Sequence, residues 1–222
     1  SANTPGVLVR NVNSLISSGT ERTTVSTGQS SLIGKARSRP DLVRQVLQNV
    51  KREGLAVTYQ KVMTRLEKPI ALGYSSAGIV VKTFGDTGGL KIGDRVACGG
   101  VGYANHGEFV FVPKDLCVPI PGGVEFREAA FTILGAIALQ GVRQAEVTIG
   151  DSVAVVGLGL VGILTVQILK SAGCRVIGLD IDPNALTAAE RFGADKTLLT
   201  SDPRADEAIV NMTGGNGVDC VI

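Results

Sequence analysis

Val153-Ala-Val-Val-Gly-Leu-Gly-Leu-Val-Gly162, a helix-like run to Ala172, and then Cys174-Arg-Val-Ile-Gly-Leu-Asp-Ile-Asp182 form the stretch whose reading decides the fold. It reads as strand, turn, helix and second strand of a dinucleotide-binding unit. Val153 to Val156 is a continuous apolar run, as expected of a parallel strand buried on both faces. Gly157, Gly159 and Gly162 follow at G-x-G-x-x-G spacing. The first glycine permits the tight turn, the second lets backbone approach a pyrophosphate, and the third lets the helix pack closely on the strand. That helix would present the amides of Leu160, Val161 and Gly162 to an anion, with its partial positive charge behind them.

Asp180 ends the second strand, 18 residues after Gly162, where a carboxylate accepts hydrogen bonds from ribose hydroxyls. The same charge selects the cofactor. At ~4 Å from a 2′-phosphate and an effective dielectric of ~20, it costs on the order of 4 kcal/mol per phosphate charge. Ile181 offers no compensating arginine. NAD is expected, with NADP disfavoured. Asp182, followed by Pro183, reads instead as the cap of the next helix.

The 222 residues are 44% hydrophobic, with net charge +2 and mean hydropathy +0.26. That is enough for a sizeable core, and too little charge to imply nucleic acid. No apolar run reaches the ~20 residues of a membrane span, and no signal-peptide pattern opens the chain. A cytoplasmic protein without membrane or nucleic-acid partners is expected. Cys98, Cys117, Cys174 and Cys220 form no C-x-x-C pair and read as reduced thiols. Residues 35–68 carry nine Lys/Arg against Asp41, Glu53 and Glu67. Leu42, Val43, Val46, Leu47 and Val50, then Leu55, Tyr59, Val62, Met63 and Leu66, recur at helical spacing on either side of Gly54. This predicts a basic helical hairpin, either a solvated face or a lid for an anionic substrate.

Short apolar runs at Val7–Arg10, Ile79–Val81, Arg95–Ala97, Glu108–Pro113 and Leu116–Pro121, punctuated by Gly, Asp and Pro, predict a β-rich barrel-like first domain. A helix over Phe126–Ala145 leads into an α/β second domain, giving 1–125 and 126–222. Strands at 153–157, 175–179, 196–200 and 218–222 alternate with helices near 161–172, 183–192 and 203–212. Right-handed crossovers order these strands 3-2-1-4.

Leu90-Lys-Ile-Gly-Asp-Arg-Val96, Gly73 to Gly78 before Ile79-Val-Val, Glu108-Phe-Val-Phe-Val-Pro113 and the glycine turn closely resemble the medium-chain dehydrogenase/reductase superfamily across essentially the whole chain. The resemblance implies an α/β protein: a GroES-like catalytic domain followed by a Rossmann doubly wound parallel sheet, here incomplete after its fourth strand. It also implies hydride transfer between NAD and a small-molecule carbonyl, alcohol or activated double bond. The zinc site does not carry over. Ser18 stands in Ser17-Ser-Gly-Thr-Glu21 where zinc-dependent members have cysteine, Gly73-Tyr74-Ser75 replaces Gly-His-Glu, and Thr132 or Ile133 replaces the third ligand. These side chains do not suit zinc, so a zinc-free branch is expected. Within the superfamily, the segment at 17–21, the basic insertion and Pro69 to Gly78 look most like the medium-chain half of bi-domain oxidoreductases from polysaccharide gene clusters. A sugar or sugar-nucleotide substrate follows from that, and the chain is expected to be a fragment, inactive alone, whose open sheet edge could pair in a homo-oligomer.

Without zinc, Tyr74 is the candidate donor to a substrate oxygen, with Thr20 at the proton-relay position, Glu21 orienting its loop and His106, the chain's single histidine, as a further acid/base candidate. Each has a plainer reading, Tyr74 as packing, Thr20 and Glu21 as a cap, and His106 as a surface loop residue. Gly73-Tyr-Ser-Ser-Ala-Gly78 misses the G-x-S-x-G nucleophile elbow by one position, which argues against a hydrolase. A non-catalytic dinucleotide-binding or scaffolding module is the alternative.

Overall fold

The computed structural model describes residues 4–29, 46, 48, 51–54, 57, 58 and 71–222. Most of the expected basic hairpin lies outside these residues. Lys51–Glu53, Val57 and Thr58 are helical on either side of Gly54, whose φ is +87°.

Strands β1 (Gly6–Ser14), β2 (Ser75–Phe84), β3 (Arg95–Gly99), β4 (Phe109–Pro113) and β5 (Cys117–Pro119) form one antiparallel sheet in the order β4-β1-β2-β3-β5. Helix α1 (Ser18–Gln29) follows β1. Alternation buries Val7, Val9, Val80, Val96, Val110 and Val112 in one cluster, each valine adding roughly 1.5–3 kcal/mol of transfer free energy. Strand β2 begins at Ser75, four residues before the run at Ile79. Ser75 and Ser76 are both buried there, so polarity hid a strand that packing selects. The Ser75 hydroxyl donates to the Ala130 carbonyl at 2.6 Å.

The expected continuous helix at 126–145 is broken into α2 (Phe126–Ala129) and α3 (Thr132–Gln144). Glu125 and Glu128 close a capping box at the start of α2. Ala129 and Ala130 are buried against Ala77 and Ala97 of the first sheet, so the chain turns where small residues allow close approach. Leu134, Ala138 and Val142 recur every four residues as the buried stripe of α3, which packs along α4 (Leu160–Ser171).

The second sheet comprises β6 (Ser152–Val156), β7 (Arg175–Asp180), β8 (Lys196–Leu199) and β9 (Cys220–Val221), parallel and ordered β8-β7-β6-β9, which is the expected 3-2-1-4. Both faces are covered. Val153, Val155 and Val176 pack with Val166 and Leu169 of α4; Ala154, Ile177 and Leu179 meet Ile209 and Met212 of α6 (Ala205–Met212). Helix α5 (Pro183–Arg191) opens as expected, with Asp182 accepting from the Asn184 amide at 2.9 Å and proline in the first turn.

Candidate functional site

At the C-terminal ends of β6 and β7 the three glycines have three different surroundings. Gly157 takes φ +90° and its amide donates to the Leu179 carbonyl at 2.8 Å, so the turn is tied to the neighbouring strand. A Cβ on Gly162 would stand 2.0 Å from the Gly157 carbonyl oxygen, which no side chain can relieve. A Cβ on Gly159 would meet no protein atom within 4 Å. Gly159 is also the N-cap of α4, with no side-chain cap, and its carbonyl accepts the first helical bond, from Ile163. The amides of Leu160, Val161 and Gly162 precede that bond and lack helical acceptors. This is a backbone cradle open to an anionic ligand.

Asp180 is built into the turn. Its Oδ2 accepts from the Leu158 amide at 2.6 Å and its Oδ1 from the Asp182 amide at 2.9 Å. The Asp182 amide holds the Asp180 carboxyl below the usual carboxylate range, with burial opposing and the Leu158 and Ile181 amides reinforcing. An ionised acceptor thus sits beside the cradle with lone pairs to spare. Leu158 is buried against Gly178, where a Cβ would come within 3.0 Å of its Cδ1. Gly178 therefore lets the turn lie flat on β7, a role that G-x-G-x-x-G spacing does not announce.

In the first half the structure brings Glu21 and His106 together across 85 residues of chain. His106 Nε2 lies 3.1 Å from Glu21 Oε1 and Nδ1 lies 2.9 Å from Ser14 Oγ. The carboxylate can only accept, so Nε2 donates to it, and in the neutral tautomer that leaves Nδ1 to accept from the Ser14 hydroxyl. The same Glu21 oxygen accepts from the Ser17 amide at 3.1 Å, and the Ser17 hydroxyl is 3.2 Å from Thr20 Oγ1. His106 is exposed in the loop before β4, as its plainer reading has it, but both ring nitrogens are engaged, and its side chain and that of Glu21 are 27% and 13% exposed. Gly73 fixes the imidazole from below. Its φ is +93° and a Cβ there would come within 2.9 Å of the ring. Tyr74 follows, half-buried, its carbonyl accepting from the Gly100 amide. Ser14 was not distinguishable by sequence, being one hydroxyl among many at a strand end. Among the described residues no group of three His, Cys, Asp or Glu could hold a metal ion. Ser75 is no exposed nucleophile either, since it lies buried inside β2 with its hydroxyl engaged.

A cavity of about 390 Å³ lined by Ser152, Arg175, Lys196 and Thr213 lies at the opposite, N-terminal ends of the parallel strands. The glycine turn, and not this cavity, occupies the end where doubly wound sheets take ligands.

The chain matches the alcohol dehydrogenase GroES-like domain over residues 42–122 and the zinc-binding dehydrogenase family over 161–222. It is 30% identical over 189 residues to a protein of Neosartorya fischeri named probable D-xylulose reductase A, covering 71% of this chain and 53% of that one. Among solved structures, a Clostridium scindens protein described as a zinc-binding dehydrogenase superposes with a TM-score of 0.65 at 25% identity, over 72% of this chain and 53% of the other. A quinone oxidoreductase of Pseudomonas syringae gives 0.62 at 28%, over 69% and 48%. The chain spans about half the length of the curated relatives it matches. Two sheets of these topologies, in this order, with domain matches and relatives that agree, mean that the chain belongs to the medium-chain dehydrogenase/reductase superfamily.

Proposed function

We propose that this chain carries the NAD site and part of the catalytic site of a zinc-independent oxidoreductase acting on a carbonyl, alcohol or activated double bond of a small sugar-like or polyol substrate. The observation that carries the reading is the Asp180 carboxylate bonded to the Leu158 amide beside the open cradle at Gly159. Asp180 accepts the adenosine ribose hydroxyls and repels a 2′-phosphate. The amides of Leu160, Val161 and Gly162 hold the pyrophosphate. When bound, NAD(H) supplies or accepts the hydride. The accompanying proton falls to the first half, where the Tyr74 hydroxyl gives it to the substrate oxygen on reduction and takes it back on oxidation, while Glu21 holds His106 in the loop beside it. Thr20 borders this network through Ser17. By the resemblance, Ser18, Tyr74 and Thr132 or Ile133 stand at the ligand positions of zinc-dependent members, and hydroxyl, phenol and alkyl groups do not make a zinc donor set. The named relative that reduces a sugar supports the substrate class.

Fluorescence titration of the whole protein with NADH and NADPH tests this. We expect NADH to bind at least about tenfold more tightly, a margin worth about 1.4 kcal/mol, and Asp180→Asn to erase most of it. Equal affinities in the wild type would remove the assignment. Elemental analysis of protein purified without chelator should find no stoichiometric zinc; zinc lost on Tyr74→Phe would overturn the zinc-free reading.

A further inference from the structure

Cys98 and Cys117 face each other on β3 and β5 with their sulfurs 3.6 Å apart. Cys98 is 3% and Cys117 8% exposed, within the core of the first sheet. The ladder gives the pair its geometry. The Ile120 amide donates to the Arg95 carbonyl, marking Arg95 and Ile120 as a hydrogen-bonded pair. Alternation then makes Cys98 and Cys117, three steps along, a non-hydrogen-bonded pair with Cα atoms about 4.5 Å apart. That separation lies inside the roughly 4.4–6.8 Å range of disulfides, and closing to about 2.05 Å requires side-chain rotation rather than strand movement. Cys174 and Cys220 have no such partner. The Cys174 thiol donates weakly to the Thr148 carbonyl and that of Cys220 to the Val221 carbonyl.

We propose that Cys98 and Cys117 are a modification site, a dithiol that a hydroperoxide converts reversibly to a cross-strand disulfide. The two thiols and one hydroperoxide give a disulfide, an alcohol and water. One thiolate attacks the peroxide oxygen, breaks the O–O bond and becomes a sulfenic acid; the second sulfur displaces water from it, and the two electrons gained by the peroxide come from the pair of sulfurs. Cys117 is the attacking sulfur. The two thiols share one hydrogen bond that either can donate; sharing it lowers the Cys117 thiol against the burial that raises it and, with burial, pushes the Cys98 thiol up. Cys117 also has the easier access, since β5 is a three-residue edge strand that opens locally at little cost.

The bond would fasten the crossing between the two halves of the molecule. β5 leads directly to α2, and β3 already grips that segment. An Arg95 guanidinium nitrogen donates to the Val124 carbonyl at 2.5 Å and the group lies 4.5 Å over the Phe126 ring. A covalent link from Cys98 to Cys117 would prevent β5 from lifting off and so limit movement of the crossover.

The test is mild oxidation of the whole reduced protein with hydrogen peroxide, alkylation of remaining thiols and tryptic mapping. Cleavage after Arg95, Lys114 and Arg127 separates the two cysteines into peptides 96–114 and 115–127. We expect these peptides joined, about 2 Da lighter than their sum, with Cys174 and Cys220 still alkylated and dithiothreitol restoring both thiols. Amide exchange at Val118 and Ile120 should slow in the oxidised form. Oxidation that reaches Cys174 and Cys220 first, or that takes Cys117 to sulfinic acid without the 96–114 link, overturns the proposal. Cys117→Ser should abolish the linked peptides; because the mapping is made on the wild type, poor folding of that variant does not decide the matter.

Discussion

Gly159 and Gly162 are the same residue three positions apart, yet a methyl group meets opposite surroundings at each. At Gly162 it would run into the Gly157 carbonyl, so Gly162→Ala should cost about 1–3 kcal/mol or more of stability, read in a denaturant melt. At Gly159 it meets only open space at a helix N-cap. Gly159→Ala should therefore cost at most about 1 kcal/mol of stability while weakening NADH binding about tenfold or more, since on the proposed function the methyl stands where the pyrophosphate approaches. A Gly159→Ala protein that binds NADH normally would show that the cradle is not the ligand site. The spacing of these glycines and the position of Asp180 were legible in the sequence because each follows from a single backbone demand. Gly178 was not, because its demand comes from the Leu158 side chain, which only the packed turn places over it.

Elements with one dominant signal were equally legible. The apolar runs of β6 and β7 have both faces covered, and Asp182-Pro183 starts α5 with its first-turn hydrogen bond in place. The misreadings at Ser75 and at Ala130 share one cause. A buried serine weakens the apolar signal of β2, and the partner that satisfies it is the Ala130 carbonyl at the break between α2 and α3. A helix-period pattern continues through that break, so propensity alone gives one helix. The serine thus joins the first sheet to the helical crossing. Ser75→Ala should destabilise by about 1–2 kcal/mol, because it leaves a buried carbonyl unpaired. Hydrogen exchange should rise most at Phe131 and Gly135, whose amides belong to that corner. Stability within about 0.3 kcal/mol of wild type would show that Ala130 finds another donor and that the tie is dispensable.

At the scale of the molecule, strand order was readable because right-handed crossovers leave few alternatives, and the two sheets came out as two textures of sequence. The site in the first half was readable only as residue types. Glu21 and His106 come together because β1, α1 and the loop before β4 converge, with the Asn11 amide group donating to the Asn105 and Gly107 carbonyls at 3.0 and 2.7 Å to hold the His106 loop against β1. No periodicity encodes such a contact. Its consequence is a division of labour between halves. On the proposed function, cofactor affinity falls to the glycine turn and Asp180, and proton handling to Tyr74 with Glu21 and His106. Tyr74→Phe and Glu21→Gln in the whole protein should therefore lower turnover about 10–100-fold, on any carbonyl substrate the wild type accepts, with the NADH dissociation constant changed less than about threefold. If Glu21→Gln shifts NADH affinity as much as turnover, the pair acts on the architecture of the cleft rather than on the proton. If both variants turn over normally, the acid/base function lies with other residues of the whole protein and Tyr74, Glu21 and His106 revert to packing and loop support.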